Sequence, residues 1–259
     1  MLKITKTTTI LTVLLLLFVL NTTSNAALDD ESLVLYLSFE EGSGDKAADG
    51  STYNHDGDLI SNLSWVDGQF GGTALEFDGS KGQHVKIPIT DTLQLREKFT
   101  IAFWVKRGDS QVAEWNYMVA AGELVWATIF NNNSQKTYLW SKVPGWQQKA
   151  ITTENQPQDW VHITVTHDID SEVVIYYDGK KTGGGTKPPA IIEIGGSIMV
   201  GARHPGREFF TGIIDEVYLF NRILPEAEIT DIIAGDFASV EPANKLATKW
   251  GAIKANRHQ

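Results

Sequence analysis

What most constrains this chain is a two-residue rhythm of apolar and polar side chains that returns in short segments along most of its length. In Phe99–Lys106, the residues Phe99, Ile101, Phe103 and Val105 fall on one face of an extended strand. In Trp160–His167, Val161, Ile163 and Val165 share one face, and His162, Thr164 and Thr166 share the other. Val85, Ile87 and Ile89 repeat the pattern, as do Val173, Ile175 and Tyr177. A period of two is that of a half-buried β-strand. Turn formers separate the runs: Asp78-Gly79, Asp178-Gly179, and Gly183-Gly184-Gly185 followed by Pro188-Pro189. Many short strands between frequent turns predict an all-β fold, a two-sheet antiparallel jelly-roll sandwich. One short helix is expected near the C-terminal end. Pro225 stands at its start, Glu226 and Glu228 suit its positive N-terminus, and Gly235 stops it. Leu224, Ile229, Ile232 and Ile233 give it an apolar side.

The first residues read as an address. Lys3 and Lys6 precede the apolar run Ile10–Leu20, and Ser24-Asn25-Ala26 offers the small residues a signal peptidase reads. The run is shorter than the roughly 20 apolar residues a membrane span needs. The expected organisation is a secretory signal peptide over residues 1–26, one β domain over 27–236 and a tail over 237–259. The mature protein is then secreted, periplasmic or on the cell surface, with no membrane span left after cleavage. In the tail, Leu246, Trp250 and Ile253 are spaced as on one helix face among Lys245, Lys249, Lys254 and Arg257. A docking or sorting segment would use that face; the competing reading is a frayed terminus or a strap packed on the sandwich. Lys and Arg number 22 against 32 Asp and Glu, a formal net charge of −10, so phosphate-rich partners such as nucleic acids and anionic membranes are repelled. The chain has no cysteine. Disulfides, thiol catalysis and thiolate metal sites are excluded, and any metal must be held by oxygen or imidazole.

Three blocks carry a family resemblance. They are Leu33–Gly44 with Asn54-His55-Asp56-Gly57; Ala74–Gly79 with Val85–Pro88 and Phe99–Val105; and Trp160–Thr166 with Ile175–Lys180, closing on Gly212–Arg222. In this order they resemble the laminin G-like jelly roll of the concanavalin A-like lectin/glucanase superfamily. The resemblance implies two packed antiparallel sheets, extracellular recognition of glycans or matrix proteins, and frequently a bound calcium. It does not fix the ligand, because this fold hosts many functions.

One carboxylate stands out. If Gly212–Phe220 is a regular strand, Asp215 points the same way as Val217 and Leu219 and is buried. A buried charge needs a cation or several hydrogen-bond donors. Jelly rolls like this often place calcium between the last strand and the end of the first, which here is Phe39-Glu40-Glu41-Gly42. Calcium takes six to eight oxygens. Glu40 and Asp215 are the candidate side-chain ligands of a structural calcium, with Glu41, Asp45 or Asp49 as substitutes for Glu40. The alternative is that Asp215 caps a loop by accepting backbone amides.

The stretch Glu114–Gln148 is the least family-like. It carries Trp115, Tyr117, Trp126, Trp140 and Trp146 among Asn131-Asn132-Asn133 and Gln135. Aromatic faces stack on sugar C–H groups while amides take the hydroxyls, so these five residues are the candidate glycan platform. Packing in the sandwich core is the competing role for each. Arg203 and His204, with Arg207, form a local basic spot suited to a carboxylate or an acidic sugar. Catalysis is not expected. The nearest match to a glucanase acid strand, Asp168-Ile169-Asp170-Ser171-Glu172, falls where the family places a tight turn. No nucleophile elbow or helical zinc pair is present. The sequence therefore reads as a non-catalytic binding module for a carbohydrate, or alternatively for an extracellular protein.

Overall fold

A computed structural model describes residues 28–122, 125–142, 146–188, 190–191, 193–203 and 206–237. The expected signal peptide over 1–26 and nearly all of the expected tail over 237–259 lie outside these residues. The strands run in chain order as β1 (Leu33–Leu37), β2 (Lys46–Ala47), β3 (Gly57–Ile60), β4 (Ser64–Asp67), β5 (Thr73–Phe77), β6 (His84–Pro88), β7 (Lys98–Arg107) and β8 (Trp115–Ala121). They continue as β9 (Trp126–Asn131), β10 (Lys136–Lys142), β11 (Trp146–Thr152), β12 (Val161–Asp168), β13 (Val173–Tyr177), β14 (Lys180–Gly184), β15 (Ser197–Val200) and β16 (Gly212–Phe220). One α-helix among the described residues, α1 (Glu226–Ala234), follows.

All strand pairs are antiparallel. The first layer contains β4, β5, β16, β7, β12 and β13, with β1 on β16; the second contains β2, β3, β6, β15, β8, β9, β10 and β11. Hydrogen bonding is continuous between them through β14, which pairs with both β11 and β13. The run Gly183-Gly184, expected as a chain break, is therefore part of this strand. A Cβ on Gly183 would stand 2.6 Å from Thr152 Cα, so glycine permits the close strand approach at the fold between layers.

The alternating residues meet between the layers. Phe99, Ile101, Phe103 and Val105 of β7 and Val161, Ile163 and Val165 of β12 share one buried cluster with Val119, Trp126, Phe130 and Leu139 of the second layer. Phe99 and Trp126 touch across the gap, ring centroids 5.5 Å apart. Each large side chain buried here contributes about 1.5–3 kcal/mol. The outer face of the first layer is covered by α1, whose Ile229 and Ile232 pack with Leu224 and Phe237 onto Tyr36, Ala102, Tyr218 and Phe220. Arg222 ties this corner to the start of the chain, pairing with Asp30 at 2.8 Å and Glu228 at 2.5 Å.

One strand departs from strict alternation. Asp215 is opposite Trp104 of β7, and the register then shifts before Tyr218 meets Ala102. Glu216 has φ 53°. This bulge turns Asp215 to the outer face, beside Trp104, while Val217 and Leu219 stay in the inter-layer core. The expected shared direction of Asp215 with Val217 and Leu219 is corrected by that extra residue; the expected burial holds, at 2% exposure.

Candidate functional site

Two places gather chemically capable side chains, one on each outer face.

The first is built around Asp215. The loop from Asp67 to Thr73, between β4 and β5, wraps two carboxylates. The Gln69 amide donates to Asp215 Oδ2 at 2.9 Å, and the Thr73 amide donates to Glu40 Oε2 at 3.1 Å. The Thr73 hydroxyl donates to the Phe39 carbonyl at 2.6 Å. Gly68 and Gly72 of the loop lie close against the two carboxylates. A Cβ on Gly68 would stand 2.8 Å from Asp215 Oδ2, and one on Gly72 would overlap the Glu40 carboxylate. Phe39 and Glu216, next to the two acids, both hold left-handed backbone, φ 54° and 53°, which costs about 1–3 kcal/mol each and concentrates at working sites. Asp215 Oδ1 is buried and has no hydrogen-bond partner among the described residues. Burial pushes the Asp215 carboxyl up to about 8, opposed by the Gln69 amide and reinforced by the charges of Glu216 and Glu40.

These features fit a hard cation: an orphaned carboxylate oxygen, a second carboxylate at the same loop, and a glycine cradle. Among the described residues no group of three or more His, Cys, Asp or Glu is gathered for a metal. A cation here would rest on Glu40 and Asp215 with backbone carbonyls and water. The capping alternative is half realised, since one oxygen of Asp215 takes a backbone amide and the other does not. Of the substitutes for Glu40, Asp49 is committed elsewhere. Its carboxylate accepts from the amides of Tyr36, Ser51 and His55 and from the Ser51 hydroxyl, at 2.7–2.9 Å. Glu41 accepts from the Ala48 amide at 2.7 Å.

The second place is the outer face of β8, β9 and β10. Tyr117, Ala120, Ala127, Ile129 and Tyr138 make a small apolar cluster, and the half-buried Trp115 and Trp140 pack against it. The two indoles lie 5.0 Å apart, tilted by 58°; Tyr138 meets Trp115 edge-on at 5.3 Å. Arg203 reaches the same face, its guanidinium 6.0 Å from the Tyr117 ring, and pairs with Glu208 at 2.6 Å. The fold thus joins two stretches that the sequence kept apart. Trp126 is not on this face: it is fully buried between the layers. Tyr117 is 5% exposed and forms the floor. The Trp146 side chain and His204 lie outside the described residues. Sequence reasoning missed Tyr138, Glu208 and the Gly68–Thr73 loop. Alternation places Tyr138 and Trp140 on one face, and the Gly71-Gly72 pair marks the loop, but neither names its distant partner.

The turn Asp168–Glu172 joins β12 to β13, as its position implied. Lys98 pairs with Asp168 and Asp170, and Lys181 with Glu172. Its carboxylates are solvated ion pairs.

The model of the concanavalin A-like lectin/glucanases superfamily matches residues 78–230. The chain belongs to that superfamily. No curated protein matches it in sequence. Among solved structures, domain 4 of AbnA, an extracellular arabinanase from Geobacillus stearothermophilus solved with arabinotriose, is 21% identical with a TM-score of 0.61, covering 78% of this chain and 98% of that one. A botulinum neurotoxin type C structure, whose cell entry depends on two ganglioside molecules, is 16% identical with a TM-score of 0.61, covering 79% and 51%. The binding domain of botulinum neurotoxin DC, solved with rat synaptotagmin II, is 16% identical with a TM-score of 0.60, covering 79% and 52%. This chain thus spans about half the length of those toxin structures. At such identities the likeness is one of fold. Among the described residues of this lectin-like jelly roll, no helix is long and apolar enough to cross a membrane.

Proposed function

We propose that the protein is an exported, non-catalytic carbohydrate-binding module. Sugar binds the outer face of the second layer, and a structural calcium is held by Glu40 and Asp215 on the first. The observation that carries the reading is the Trp115–Trp140 pair, half-buried, side by side and away from the main core. Half-buried indoles give a sugar a stacking surface, and the Arg203–Glu208 pair beside Tyr117 supplies donors and an acceptor for hydroxyls. Bound calcium would neutralise the two carboxylates and tie the end of β1 and the bulge of β16 to the Gly68–Thr73 loop. The two sites sit on opposite layers, so calcium acts on stability and not by shaping the sugar face. The arabinotriose and ganglioside links of the similar structures support a glycan. The synaptotagmin complex keeps an extracellular protein partner as the second reading.

The test is a glycan array followed by calorimetry on residues 27–259. Binding that weakens in Trp115→Ala and Trp140→Ala, both still folded, supports the reading. Folded protein that binds no glycan but captures an extracellular protein through this face would replace it with the second.

A further inference from the structure

We propose that the aromatic face takes a single, twisted oligosaccharide chain, and not the flat surface of a crystalline polysaccharide; this rests on the carbohydrate reading above. Stacking on an indole requires the sugar ring to lie parallel to it. Trp115 and Trp140 are neighbours, 5.0 Å between centroids, but their planes differ by 58°. A flat ribbon stacked on one indole meets the other at a steep angle and loses that contact. A chain whose successive sugar planes rotate lies against both. Tyr138 stands at 77° to Trp115 and adds a second inclined surface, so the aromatic side chains form a notch and not a table.

The packing beneath holds this tilt. Trp115 and Trp140 rest on Ala127, Ile129 and Tyr117, all buried, and a rotation toward coplanarity would break those contacts.

The experiment measures binding of residues 27–259 to three probes. Soluble arabino-oligosaccharides and malto-oligosaccharides supply twisted chains. Microcrystalline cellulose supplies a flat surface. The expected result is binding to at least one twisted chain and none to cellulose. Trp115→Ala and Trp140→Ala should each weaken it by on the order of tenfold. Trp115→Phe guards against loss of fold, and should retain part of the affinity. Depletion by cellulose overturns the twisted assignment and leaves the carbohydrate reading standing. Folded tryptophan variants that bind as tightly as the parent also overturn it. Absence of binding to every glycan, here and on the array, removes the reading beneath it as well.

Discussion

Asp215 and Glu216 are consecutive residues, yet both side chains stand on the outer face of the first layer. In a regular strand one of them would enter the core. The left-handed backbone of Glu216 makes the exception, and two tyrosines hold it. The Tyr36 and Tyr218 hydroxyls donate to Glu216 Oε2 at 2.8 and 2.6 Å, and their rings stack at 4.4 Å. Glu216 is thereby anchored under α1, which leaves Asp215 facing the glycine loop.

Calcium is expected to stabilise the protein. Unfolding of metal-stripped protein should shift upward on adding calcium and not on adding magnesium, by about 2.7 kcal/mol at a hundredfold excess over Kd. Asp215→Asn should abolish the shift and Glu40→Gln should reduce it. A midpoint indifferent to calcium and EDTA would sink the metal assignment, leaving Asp215 as a protonated loop cap.

Gly72→Ala separates the site from the fold. Its added methyl meets the end of an exposed, flexible Glu40 side chain and not backbone, so the carboxylate can swing away. The variant should keep its metal-free stability to within about 1 kcal/mol, while its calcium affinity falls. A large loss of stability without metal would show that the glycine serves packing instead.

Tyr36→Phe keeps the ring stack and removes one of the two donors to Glu216. A loss of about 1–2 kcal/mol is expected in urea unfolding, and weaker calcium binding should accompany it because the bulge relaxes. Unchanged stability would show that Tyr218 alone suffices.

Asp49→Ala leaves three backbone amides and a hydroxyl without their acceptor. The expected cost is on the order of 3 kcal/mol, with hydrogen exchange rising first over Ser51–His55. Exchange unchanged in that loop would contradict the role of Asp49 as its organiser.

Two buried histidines should make the fold sensitive to acid, while Asp215, its carboxyl raised to about 8, pulls the other way over the same range. Burial lowers His162 to about 3 and His167 to about 4, from the usual 6.5. Both are neutral when folded, so in this window these two groups bind more protons in the unfolded chain. Their contribution is complete above about pH 6.5 and is lost as pH falls toward 4 and 3. His162→Gln, measured by denaturation from pH 7 to 4, should show a shallower decline than the parent. An identical decline would move the acid sensitivity elsewhere.

Alternation along β7, β12 and β13 named the core faces correctly, because a period of two needs only neighbouring residues. The helix was equally local: Pro225 caps its start and Gly235, at φ 74°, its end. The three family blocks were legible for the same reason, since each motif is a short run. The direction of Asp215 was not legible, because one left-handed residue resets the parity of a strand and no local signal marks Glu216 as that residue. Nor could sequence tell Trp126 from Trp140. Both lie on strands of the same stretch, but Trp126 turns inward against Phe99 while Trp140 turns outward beside Trp115. That choice, like the meeting of Arg203 with Tyr117 and of Glu40 with Asp215 across one glycine loop, depends on register between distant strands. Register is set by how the two layers pack, and only the tertiary structure decides it.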